Sequence, residues 1–91
     1  MCEQVDMKMS LPMEPFPPKC FPGNFKMKGV IRAEITEKGR VGTLLITDIE
    51  GLPQRSVKCA TEHFKAEYRR ARYSAKELPC LLVAPFNAEA S

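Results

Sequence analysis

Polar and apolar positions alternate most regularly between Met27 and Ile49. Ile31, Ala33 and Ile35 alternate with Arg32, Glu34 and Thr36, the period-two pattern of a strand with one dry face and one wet face. Val41 to Thr47 follows with many β-branched residues, and its run Leu44-Leu45-Ile46 places apolar groups on both faces. Glu37-Lys38-Gly39-Arg40 folds one run back on the other, because Gly39 can take the positive φ that a tight hairpin needs. Gly42 marks a candidate bulge.

Beyond this hairpin, Asp48-Ile49-Glu50-Gly51-Leu52-Pro53 reads as a reversal. Residues 54–60 fit two patterns. As a strand, Arg55, Val57 and Cys59 share one side. As helix, Val57, Ala60, Phe64, Tyr68, Ala71 and Ala75 form one stripe at spacings of three and four. The strand is the preferred reading, since Thr61 then serves as N-cap with Glu62 in the first turn. Thr61 to Lys76 is predicted as helix, with Phe64, Tyr68, Ala71 and Ala75 as its dry face. Leu78-Pro79 stops it, and Cys80 to Ala84, bounded by Pro79 and Pro85, reads as a buried strand.

Residues 1–25 differ from the rest. Pro12, Pro15, Pro17, Pro18 and Pro22 oppose both helix and central strand. The predicted organisation is an extended Pro-rich arm (1–25), an α+β domain (26–86) and a tail (87–91). The fold class is α+β, a small antiparallel sheet in the order β-β-β-α-β with one helix packed on it. The expected core is Ile31, Ala33, Ile35, Leu45 or its neighbours, Val57, Phe64, Tyr68, Ala71, Leu81 and Val83. Two readings of the arm compete: a disordered leader, or a segment that packs along its own domain or a partner's through Phe16, Phe21 and Phe25.

With 91 residues and 44% apolar composition, the chain supports one domain with a modest core. No run of apolar residues is long enough for a membrane span. The N-terminus carries acids and lacks a continuous apolar stretch, so a secretory signal is not expected and the default location is cytoplasmic. In that setting Cys2, Cys20, Cys59 and Cys80 read as free thiols, with Cys59 and Cys80 acting as small buried hydrophobes. No C-x-x-C pair is present and His63 is the sole histidine, so neither a metal nor a cofactor is expected.

Charge is uneven. Lys26 to Lys76 holds twelve basic and six acidic side chains, a net +6, against +3 for the whole chain. Lys65, Arg69, Arg72 and Lys76 repeat at helical spacing over roughly 16 Å at 1.5 Å per residue, a length that can follow a nucleic-acid backbone or an acidic groove. Lys28, Arg32 and Arg40 add positive charge on the hairpin. No Walker loop, GxGxxG or nucleophile–base pair is visible; Cys59 and His63 lie four apart, but the preferred reading puts a strand–helix break between them. Asp48 and Glu50 read as solvated turn residues.

An enzyme is therefore not expected. Two classes remain. One is a small non-catalytic regulatory protein whose basic surface engages nucleic acid or a nucleoprotein machine. The other is a small inhibitor or adaptor, of the kind mobile genetic elements make, that docks on a larger protein through Phe16, Phe21 and Phe25. Exposed sheet edges or the arm would also offer a route to a homodimer.

Overall fold

The computed structural model describes residues 1–9 and 18–90. It is a small α+β chain with one helix and two antiparallel sheets among the described residues. The elements run β1 (Asp6–Met9), β2 (Phe25–Ile35), β3 (Val41–Glu50), α1 (Gln54–Arg70), β4 (Ala71–Ser74) and β5 (Cys80–Ala90). The main sheet has the order β3-β2-β5, and β1 pairs with β4 as a separate ribbon.

The hairpin follows its sequence pattern. In β2, Phe25, Met27, Gly29, Ile31, Ala33 and Ile35 are buried and the residues between them face outward, with Val30 half-buried. Gly39 adopts φ +75° in the turn. The β2–β3 register shifts between Ala33 and Ile35, opposite Gly42, and again between Lys28 and Val30, where Asp48 has φ +57°. By contrast, β5 pairs with β2 over its whole length without a shift, from Phe25↔Ala90 to Ile35↔Cys80.

The core forms in two parts on the inner face of this sheet. Cys20, Phe21, Phe25 and Met27 pack with Ala60 and Phe64 of α1. Ile31, Ala33, Ile35 and Leu44 pack with Ala71 and Tyr73 of β4. The helix thus covers one end of the sheet, and β4 covers the other.

Five expectations are corrected. Residues 54–60 are helix, because β2 is already paired on both sides and no edge beside it is left for them. The helix begins at Gln54 with Pro53 as its N-cap residue, and Ser56, Ala60, Phe64 and Glu67 form its buried stripe. The helix ends at Arg70 instead of Lys76: Ala71 is extended, and Ala71 to Ser74 pairs with β1, alternating Ala71 and Tyr73 inward with Arg72 and Ser74 outward. Residues 87–90, expected as tail, complete β5, and part of the supposed arm, Asp6–Met9, is strand. Finally, Leu81 and Val83 face outward while Leu82 and Ala84 pack on the core, so β5 has the opposite parity to that expected.

The cysteines are not free thiols. Cys2 is joined to Cys80 and Cys20 to Cys59, with Cα separations of 5.0 and 5.1 Å. Such bonds persist in oxidising compartments and are uncommon in a reducing cytosol, which weighs against the cytoplasmic default. Among the described residues, no helix is long and apolar enough to cross a membrane.

Candidate functional site

β5 runs eleven residues and pairs with β2 without a register shift, which leaves its other edge straight. The Leu81 carbonyl accepts a hydrogen bond from the Cys2 N–H at 2.7 Å, so it points away from β2. Backbone groups alternate in direction along a strand, so those of Val83, Pro85, Asn87 and Glu89 share that outward direction. Pro85 has no N–H, and its place on an edge strand leaves the β2 ladder intact. No strand pairs with this edge among the described residues. The other outer edge, on β3, is broken by its two register shifts, which blunt it for pairing.

Beside the β5 edge, the outer sheet face carries exposed apolar side chains. Leu81 is 56% exposed and Val83 39%, and Leu45 of β3 is 53% exposed. Arg32 lies between Val83 and Leu45 in the ladder, donates from Nε to Thr47 Oγ1 at 3.3 Å and stands 3.8 Å from Asp48 Oδ2. Lys28 pairs with Glu50 at 3.1 Å across the same face. Both ion pairs are solvent-exposed and add little to stability.

The seven basic candidates do not form one stripe. Lys65 and Arg69 lie on α1, and Arg69 donates from Nη1 to the Gly42 carbonyl at 3.4 Å. Arg72 lies on β4 opposite Lys8, and Lys76 lies beyond the helix, 3.8 Å from Glu3 Oε2. Lys28 and Arg32 are ion-paired on the sheet, and Arg40 donates from Nη1 to the Arg70 carbonyl at 3.4 Å. A different helical row emerges instead: Arg55, Lys58, Lys65 and Arg69, interrupted by Glu62, on the side away from the buried stripe. Arg55 and Lys58 were missed because 54–60 was read as strand; the competing helical pattern over the same residues was the signal that would have found them.

The phenylalanine anchors separate as well. Phe21 is 4% exposed and Phe25 7%, their ring centroids 4.9 Å apart, and Phe21 meets Phe64 edge-on at 5.6 Å. They belong to the core of their own chain. Phe16 lies outside the described residues. Removing residues 1–25 would take away Cys2, Cys20 and Phe21 together, so that deletion probes folding more than docking.

Cys59 and His63 share the continuous helix, one turn apart, but the Cys59 sulfur is bonded to Cys20 and offers no thiolate. Asp48 and Glu50 are engaged with Arg32 and Lys28. No group of three or more His, Cys, Asp or Glu side chains that could hold a metal occurs among the described residues. The perturbed titrations lie in the core: burial raises the Tyr68 phenol, and burial followed by the neighbouring Tyr68 charge pushes Tyr73 up to about 12. Comparison of the chain with protein-family models, curated proteins and solved structures returned no match.

Proposed function

We propose that this chain is a non-catalytic docking domain that holds a protein partner as an extended strand along the outer edge of β5. The observation that carries this reading is the unshifted register of β5 beside an edge whose outward backbone groups run from Val83 to Glu89. An added strand would pair with those groups and lay alternate side chains beside Leu81 and Val83, the usual division of labour in strand addition. At about 1 kcal/mol net per backbone hydrogen bond, the edge alone gives weak binding, and the apolar contacts supply the rest. A heterologous strand suits the edge better than a second copy of β5. Self-pairing would double the donor missing at Pro85 and bring together two edges already capped at Leu81 by Cys2.

The test starts from extended peptides selected with a random linear display library and measured by calorimetry. Val83→Pro and Asn87→Pro each remove an outward N–H that the β2 ladder does not use. Each is expected to weaken binding about tenfold with little change in the melt. Ala84→Pro removes an inward N–H and is expected to unfold the domain. Full affinity in both outward proline variants would rule out strand addition, and a concentration-dependent dimer in sedimentation would reassign the edge to a second copy.

A second reading has its own observation, the helical row Arg55, Lys58, Lys65 and Arg69. Arg55 and Arg69 are fourteen residues apart, roughly 21 Å along the axis at 1.5 Å per residue, which suits a nucleic-acid backbone. Titration against single- and double-stranded nucleic acid would then show affinity falling steeply between roughly 50 and 200 mM salt, and lost in Lys65→Glu/Arg69→Glu. A flat salt response removes this reading.

A further inference from the structure

We infer that the Cys2–Cys80 disulfide is a redox latch that sets how far along β5 a partner strand can pair; this rests on the strand-addition reading above. Cys80 is the first residue of β5, and its bond to Cys2 lays the chain start against the same edge. There the Cys2 N–H takes the outward Leu81 carbonyl at 2.7 Å, while the Lys76 N–H donates to the Glu3 carbonyl at 2.8 Å. The first residues therefore occupy the position that the end of an incoming strand would need. Among the described residues, besides the disulfide and the packing of Cys2 against the Ile31 cluster, they are joined by these two backbone bonds and by the exposed Glu3–Lys76 pair at 3.8 Å, which adds little.

The two disulfides differ at one sulfur: Cys20 is 3% exposed in the core under α1, while its partner Cys59 is half-buried. Cys2 and Cys80 are half-buried, and a surface hollow of about 360 Å³ lined by Glu3, Lys76, Pro79 and Cys80 opens beside their bond. A dithiol reductant can enter there. One of its thiolates attacks a protein sulfur, breaking the S–S bond and forming a mixed disulfide. Its second thiolate then displaces the remaining protein sulfur and closes the reductant's own disulfide. Two electrons and two protons pass to the protein, leaving two thiols. Residues 1–3 then leave Leu81, and the open edge lengthens from Val83–Glu89 to Leu81–Glu89.

The experiment compares oxidised protein, dithiol-treated protein and Cys2→Ser/Cys80→Ser, which keeps Cys20–Cys59. A variant lacking Met1–Glu3 and carrying Cys80→Ser uncovers Leu81 by a second route. Amide exchange at Lys76 reads the latch in the forms that retain Glu3, and a capped nonapeptide of alternating valine and threonine reads the edge. In the unlatched forms that retain Glu3, Lys76 is expected to lose protection. In every unlatched form the peptide is expected to bind roughly two- to tenfold tighter, the worth of about one added backbone hydrogen bond. Equal peptide affinity in all folded forms, or unchanged Lys76 protection on reduction, overturns the latch and leaves strand addition standing. A peptide that binds no form, latched or unlatched, removes strand addition and the latch with it.

Discussion

Tyr73 ties the helix, the ribbon and the hairpin turn together at single-residue scale. Its hydroxyl donates to the Tyr68 carbonyl at 2.9 Å, and its N–H donates to the Gly39 carbonyl at 2.8 Å. Gly39 holds φ +75°, and a Cβ there would stand 2.5 Å from the Tyr73 carbonyl oxygen, so the turn and β4 can approach only at glycine. Because burial pushes the Tyr73 phenol up to about 12 from 10.0, the folded state holds this proton more tightly than the unfolded chain. Its contribution is complete below pH 10 and is lost as pH rises from there toward 12. Urea melts at rising pH are expected to show that alkaline decline. Tyr73→Phe should flatten the decline while costing about 1 kcal/mol at neutral pH through the missing hydrogen bond. The glycine at 39 was legible from turn chemistry alone; its contact with Tyr73 was not, because nothing local ties the two positions together.

At the scale of elements, legibility followed the strength of the local pattern. The β2–β3 hairpin and the middle of α1 could be read because alternation, turn chemistry and helical spacing each pointed one way. Residues 54–60 carried both periods, and the choice fell to tertiary pairing: β3 and β5 take both sides of β2. Ala71 satisfied the helical stripe and the strand alternation equally, so the end of α1 was decided by β1, in a segment read as arm. In β5, the run Leu81-Leu82-Val83 is apolar on both faces and contains no parity signal, and a one-residue error turns every side chain to the other face. That parity can be checked by truncation. Leu82→Ala is expected to cost about 2–3 kcal/mol in chemical denaturation, whereas Val83→Ala should stay within about 0.5 kcal/mol. Equal losses would contradict the register.

For the whole molecule, net charge was legible and its arrangement was not. The excess of basic residues between Lys26 and Lys76 is real, but its placement depended on where the helix begins and ends. The open edge could be anticipated for any small sheet; which strand carries it depends on the order β3-β2-β5. Disulfide pairing was the least legible feature, since partners lie 78 and 39 residues apart and spacing says nothing of contact. These two bonds are nested: the Cys20–Cys59 loop lies inside the loop closed by Cys2–Cys80. In covalent terms the chain from Cys2 to Cys80 is a ring with a cross-brace. One peptide bond cut anywhere within it opens the ring without dividing the molecule, so a nicked domain would stay one molecule heavier by one water and come apart only when reduced.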